Sequence, residues 1–300
     1  LPSATGFIFN LRKEKLQDVR VRRALALMYN FTWTNDTLQY GLFQQRESFW
    51  QGSKLAAQGL PEGRELELLE GVRDLVDPAV FTKTAVIPHV SGARQLDRGN
   101  MRKASDLLDA AGWIAGDDGI RRKNGETLEI EFIMYSPTFD RILNPYVNNL
   151  TRLGIEATYN RIDSAQYSER YYQFDFDMTF GGYRVGLEEG SGMLQKFGSV
   201  GLGDVFNPAG YSSEAVDALL PNVTSAKTYE EMAAAVRAID RIMRREMFVV
   251  PVWYLGKYWV AYYDMFEHPE ELPPYALGHL DFWWFNQDKA DALQGASAFR

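Results

Sequence analysis

Apolar residues fall on one helical face at Val21, Ala24, Leu25 and Met28, just after Asp18, whose carboxylate suits an N-cap. The spacing predicts a helix there and a second over about 34–40, stopped by Gly41. Residues 41–99 are less regular. Gly59-Leu60-Pro61-Glu62-Gly63 punctuates them, Pro78 opens a short helix, and 88–99 reads as an ordered loop. A clear stripe returns at Ala104, Leu107, Leu108 and Ala111, with Asn100 as its expected N-cap and Gly112 as its stop.

Asn124-Gly125 lies between 120–122 and 128–130 and predicts a hairpin, because both turn residues tolerate positive φ. Two periods then alternate. Strands are expected over 128–134, 155–162 and 176–180, with helices over 139–153 and from 163 to about 172. Successive β-α-β units predict an α/β fold with a mixed or parallel sheet flanked by helices. A glycine-rich loop over 181–203 and a short helix over 213–220 follow. Thr228 and Glu231 form a capping box opening a helix to about Glu246, with Met232, Val236, Ile239 and Met243 inward. Strands over 248–254 and 258–263 lead to a Pro-rich, aromatic end at Phe282-Trp283-Trp284-Phe285.

The 300 residues can bury a substantial core, and 46% of them are hydrophobic. Aromatics reach 14%, which fills a core but can also line a cleft that stacks on a ligand. A net charge of −8 argues against a nucleic-acid partner, whose phosphates need clustered Lys and Arg. The absence of cysteine excludes thiol chemistry and Cys-type zinc sites. No apolar run approaches the roughly 20 residues that span a bilayer. The opening Leu1-Pro2-Ser3 carries no Met or signal peptide and reads as the interior of a longer protein.

Catalytic chemistry finds little support. His89, His268 and His279 form no pair at helical spacing, so no metal or other cofactor is expected. The chain has no nucleophile elbow, P-loop or dinucleotide fingerprint. Asp175 and Asp177 share a strand face, but capping and ion pairing at the strand's start explain them better than acid–base work, which needs a perturbing pocket and a partner in a defined role. The loop after the third strand is the best candidate for function, since open α/β sheets bind ligands at their carboxyl edge. In it Gly181, Gly182 and Ser191 offer close backbone and polar approach, and Tyr183 offers a stacking face. Arg184, Glu188 and Glu189 offer charges, and Trp33 a further stacking face. A solvated surface loop is the alternative reading of the same residues.

Asp18-Val19-Arg20-Val21-Arg22-Arg23-Ala24-Leu25 resembles the opening helix of the second lobe in peptide- and nickel-type solute-binding proteins of ABC importers. Residues 100–113, Leu153-Gly154-Ile155 and Val249-Val250-Pro251-Val252-Trp253 match later landmarks in order. Tyr40-Gly41-Leu42-Phe43, Ser48-Phe49-Trp50, residues 55–61, Phe174-Asp175-Phe176-Asp177-Met178 and residues 254–258 are similar to the YejA-like branch. One stretch departs: Glu188-Glu189-Gly190-Ser191-Gly192-Met193 replaces that branch's usual Ser-Pro-Gly-Asn-Glu-Gln run.

The resemblance implies a type II periplasmic-binding-protein lobe from a chain about twice as long. Residues 1–10 would be a hinge strand arriving from a first lobe, 11–260 the second lobe, and 261–300 a segment returning to the first. It implies a periplasmic, non-enzymatic protein that captures short peptides, possible murein-derived ones among them. Its expected partners are the N-terminal half of the same protein and the permease subunits of an ABC importer. A binder of an opine, a sugar or a metal chelate is the nearest alternative, and a peptide or glycan hydrolase a more distant one.

Overall fold

The computed structural model describes residues 1–295, which divide into Leu1–Tyr254 and a second unit from Leu255 onward. The first unit opens with strand β1 (Ala4–Phe9), then helices α1 (Val19–Leu27) and α2 (Phe31–Leu38). A two-residue strand β2 (Gln44–Gln45) precedes helices α3 (Gly63–Glu70), α4 (Ala79–Thr82) and α5 (Arg98–Ala110). Short strands β3 (Ile114–Ala115), β4 (Arg121–Lys123) and β5 (Glu126–Thr127) make a small antiparallel sheet, with Asn124-Gly125 turning between the last two. The β-α-β succession is β6 (Glu129–Met134), α6 (Asp140–Arg152), β7 (Glu156–Arg161), α7 (Ser164–Tyr172) and β8 (Met178–Tyr183). Helices α8 (Gly192–Phe197), α9 (Glu214–Thr224) and α10 (Tyr229–Glu246) lead to β9 (Val249–Pro251) and β10 (Trp253–Tyr254).

The main sheet runs β7-β6-β8-β1-β9 and is mixed: β6 lies parallel to β7 and β8, while β1 is antiparallel to both β8 and β9. Helices flank it on both faces, as the alternating periods predict. The alternation along β1 sends Phe7 and Phe9 into a core with α1, α5 and α6. Ala4 and Ile8 point into the other core, with α8, α9 and α10. The strand over 4–9 is thus paired on both sides within this unit.

Several boundaries move, each for a local reason. Asp97, not Asn100, caps α5: its Oδ1 accepts from Asn100 N at 2.9 Å and its Oδ2 from Gly92 N at 2.8 Å. The Asn100 amide is drawn to Val90 O and Ser91 Oγ. Helix α2 starts at Phe31 because Asn30 caps it, while the Asn30 amide also donates to Gly92 O and Arg94 O at 2.8 Å each. That pair of bonds orders the loop before α5. The third strand continues through Gly181-Gly182-Tyr183, expected as loop, because β1 supplies a partner for each of them.

A buried carboxylate fixes the segment between α2 and α3. Asp240 of α10 accepts from Ser48 Oγ at 2.9 Å, Phe49 N at 3.2 Å, Ala57 N at 3.0 Å and Arg244 Nη1 at 3.1 Å. Burial raises its carboxyl above the ordinary range, with Arg244 and these donors opposing the rise.

The second unit holds β11 (Phe266–Glu267), β12 (Trp284–Phe285) and helix α11 (Gln287–Gly295). Glu267 gathers Trp284 Nε1 at 2.9 Å, Asn286 Nδ2 at 3.1 Å and Lys289 Nζ at 3.1 Å. The strand expected over 258–263 does not form; no ladder includes these residues, and Tyr258, Trp259, Tyr262 and Tyr263 stay exposed. Within 282–285 Trp283 is the most covered, against Tyr262 and His268, while Phe282, Trp284 and Phe285 remain about half exposed.

Replacing Asp240 by Ala leaves Arg244 buried without its counter-charge and strips acceptors from two backbone N–H groups. The expected loss is about 3–5 kcal/mol in urea denaturation of the full-length protein. A loss below about 1 kcal/mol would show that the segment is held by its apolar contacts alone.

Candidate functional site

The register places the carboxyl ends of β6, β7, β8 and β9 and the amino end of β1 along one edge of the sheet. Open α/β sheets bind ligands at such an edge. Near it, on the α6 side, sits a group of half-buried rings. Phe180 of β8 stacks on Trp253 with centroids 5.3 Å apart and planes at 19°, and Phe139 lies 4.5 Å from Phe180. Phe43 and Phe139 each lie 6.2 Å from Trp253. Strand alternation puts Gly182 on the same face as Phe180, one step closer to the edge, and it is exposed. Lacking a side chain, it leaves a bare strip of backbone beside the rings. A Cβ there would come within 3.0 Å of Ala4 O and of Thr5 Cγ2.

On the opposite face Tyr135 leans on Tyr167 at 5.0 Å, and the Tyr167 hydroxyl meets Thr179 Oγ1 at 2.9 Å. Tyr135 is half exposed and offers a second ring at the edge.

The residues singled out in the sequence separate in the structure. Tyr183 is not a stacking face: its ring is 1% exposed, packed on Phe49, Phe197 and Phe248 in the α10-side core. Burial pushes its hydroxyl well above the ordinary phenol range. Gly181 answers to packing, since a Cβ would come within 2.7 Å of Ile8 Cδ1. Glu189 is already engaged; its side chain is 5% exposed and accepts from Trp50 Nε1 at 2.9 Å and Gly186 N at 2.8 Å, with Lys196 Nζ 3.4 Å away. Lys196 Nζ also donates to Arg184 O at 2.7 Å, so the turn after β8 is clamped from inside. Arg184 and Glu188 are exposed, and Ser191 is exposed beside the start of α8. Trp33 sits half-buried on α2.

The rings at Phe43, Phe139, Phe180 and Trp253 escaped the sequence reading. A signal existed in the period-two placement of Met178, Phe180 and Gly182, but only with the strand carried past Phe180. Asp175 and Asp177 are ion-paired, Asp177 with Lys15 at 2.8 Å and Asp175 with Arg170 at 2.9 Å. Neither is poised as a free base. Among the described residues no group of three or more His, Cys, Asp or Glu could hold a metal ion, and no helix is long and apolar enough to cross a membrane.

A mixed sheet flanked by helices on both faces is also the fold of solved solute-binding proteins. Residues 2–202 match the bacterial extracellular solute-binding proteins, family 5 (middle), and the chain belongs to that family, whose members bind solutes rather than catalyse reactions. It is 38% identical over 282 residues to the probable peptide-binding protein YejA of Agrobacterium fabrum, covering 93% of this chain and 46% of that one. It is 29% identical over 282 residues to the peptidoglycan-binding protein YepA of the same organism, again covering 93% and 46%. The fold matches the oligopeptide-binding protein AppA of Bacillus subtilis with a TM-score of 0.66 at 16% identity, over 94% of this chain and 50% of that one. The chain thus spans about half the length of these relatives.

Glu189 and Glu188 are adjacent but differ in role. Glu189→Ala leaves the buried Trp50 indole N–H unpaired and is expected to cost about 1–3 kcal/mol in denaturant unfolding. Glu188→Ala is expected to stay within about 0.5 kcal/mol. Equal effects would mean that the internal clamp on the turn contributes nothing.

Proposed function

We infer that the chain is the second lobe of an extracytoplasmic protein that captures short peptides and passes them to the permease of an ABC importer. The remaining half of the protein, by this reading, supplies the facing lobe, and the segment after about residue 260 returns to it. The half-exposed rings of Phe282, Trp284 and Phe285 would find cover there, since monomers seldom leave large apolar patches open. Murein-derived peptides fit the same class, in keeping with the peptidoglycan-binding relative.

The observation that carries this reading is the bare backbone at Gly182 beside the rings of Phe180, Trp253 and Phe139. An extended peptide offers its own backbone N–H and C=O groups, which need close partners, and side chains that seek apolar cover. A strip without a side chain allows the first, and flanking rings supply the second. Arg184 and Glu188 stand exposed on the turn beyond and add complementary charge at the rim, which favours rapid encounter more than tight holding. The similarity to the probable peptide-binding relative supports the same ligand class.

Small molecules released by denaturing natively purified full-length protein should be peptides, identified by mass spectrometry. Calorimetry with those peptides should show Trp253→Ala weakening binding about tenfold or more, as for a central aromatic anchor. Tyr172→Ala, exposed on α7, should stay within about twofold. Absence of bound peptide together with no calorimetric heat would defeat the reading.

A further inference from the structure

Several surface arginines of this chain stand against a carboxylate, as Arg64 does with Glu67 at 2.9 Å, Arg122 with Asp118 at 2.7 Å and Arg170 with Glu131 at 2.6 Å. Arg94, Arg98 and Arg152 do not. Among the described residues none of these three forms an ion pair, yet all are exposed and line one cavity of about 300 Å³. Gln95, Leu96 and Asn149 complete the lining, so no carboxylate shares it. Asp97 is next to Arg98 in the chain, but its oxygens accept from Asn100 N at 2.9 Å and Gly92 N at 2.8 Å. The chain as a whole carries 40 acidic residues against 32 Lys and Arg, so a cavity walled by cations alone runs against its average surface. Like charges around one space repel, and water and salt weaken that repulsion without removing it. Arg98 also sits in the first turn of α5, where a cation opposes the helix dipole.

The frame beneath these cations is fixed from inside. Buried Asn30 donates to Gly92 O and Arg94 O at 2.8 Å each. Buried Asn149 donates to Gln95 O at 3.1 Å and to Met28 O at 3.0 Å, and Gln95 Nε2 reaches Pro145 O at 3.3 Å. The backbone of Arg94 is thereby tied to the start of α2 and to α6, while Arg98 follows directly on the Asp97 cap. Arg152 ends α6, and its Nε donates to Asn148 Oδ1 at 3.0 Å, which uses one of its five donors. The three backbones have little freedom to separate and relieve the repulsion.

An anion in the cavity would reverse the sign of every one of these interactions. A carboxylate is planar, carries one charge and fits one guanidinium fork well, which leaves two cations unbalanced. A phosphate monoester carries about 1.5 to 2 negative charges near neutral pH, and its three free oxygens accept from several directions. A water needs roughly 10–15 Å³ by the measure that gives the cavity its size, so there is room for a phosphate and for part of the group it is esterified to.

We propose that Arg94, Arg98 and Arg152 form a binding site for a phosphate monoester group. No lining residue belongs to the aromatic group at the sheet edge, and Arg152 closes α6 ahead of β7, whose first residue lies at the opposite edge of the sheet. The site is therefore separate from the peptide edge and does not rest on that reading.

The test is calorimetry of the full-length protein at low ionic strength with inorganic phosphate, glycerol phosphate and acetate. The wild type should bind both phosphates about tenfold or more tightly than acetate. Arg94→Gln, Arg98→Gln and Arg152→Gln should each weaken phosphate binding about fivefold or more. In phosphate-free buffer their melting temperatures should equal or exceed that of the wild type, because each substitution relieves repulsion. Arg102→Gln, exposed on α5 outside the cavity, should stay within about twofold. Cosedimentation with phosphatidylcholine vesicles, with and without phosphatidic acid, separates two sources of the same group. Capture by the phosphatidic acid vesicles alone, lost in the three variants, assigns a lipid head group. Binding of the free phosphates without capture assigns a soluble ester. Acetate binding as tightly as phosphate overturns the site and needs no variant. Phosphate binding or vesicle capture that survives all three substitutions overturns it too, as does failure of every phosphate probe to bind.

Discussion

The fold turns on the close approach of β1 to its two neighbours, which Gly6 makes possible. A side chain on Gly6 would overlap the Val250 carbonyl and a methyl of Val249 across the ladder, and the residue facing it on β8 is Gly181. With both glycines in place, β1 joins the parallel strands β6 and β8 to the edge strand β9 in one sheet. Phe7 and Phe9 can then enter one core while Ala4 and Ile8 enter the other. Because β1 runs against both neighbours, the carboxyl ends of β8 and β9 come to the same edge. The site depends on that geometry.

A second constraint holds the remaining wall in place. The segment between α2 and α3 has little regular structure, yet Asp240 collects a hydroxyl and two of its backbone N–H groups inside the core. Arg241 and Arg244 of the same helix take carbonyls at Gln58, Gly59 and Ala57. Buried ionic groups of this sort add little net stability over apolar packing, but each donor left unmet is costly. The segment therefore has few alternative positions, and Phe43 and Arg46 are delivered to the sheet edge by it.

Elements written into local sequence were legible from it. Asp18 before α1 and Thr228 before α10 are short-range caps, and both act as such, with Arg20 N on Asp18 at 2.8 Å and Glu231 N on Thr228 at 3.2 Å. The Asn124-Gly125 turn needs nothing beyond its own φ values of 53° and 85°. Gly181 and Gly182 misled because glycine read alone breaks a strand. Their partners Gly6 and Thr5 lie far away in the chain, in a stretch whose pairing is not visible from its own pattern. Glu189 misled for the same reason, since its engagement comes from Trp50. The Arg46 environment is mostly non-local: besides the nearby Ser48 carbonyl it is built from Ser3 and Tyr254 at opposite ends of the unit.

The division between exposed and buried charge along this edge also bears on how the lobe works. Arg184 and Glu188 face solvent, where salt screens charges beyond about 8 Å at physiological ionic strength. They can orient an approaching zwitterion but hold it weakly. Bare backbone at Gly182 and the Phe180–Trp253 stack discriminate little among side chains laid against them. Strong discrimination needs a group whose unmet state is expensive, because rejection comes from leaving a buried polar partner unpaired. Among the described residues, the buried and unpartnered Arg46 Nε is one group of that kind near this edge.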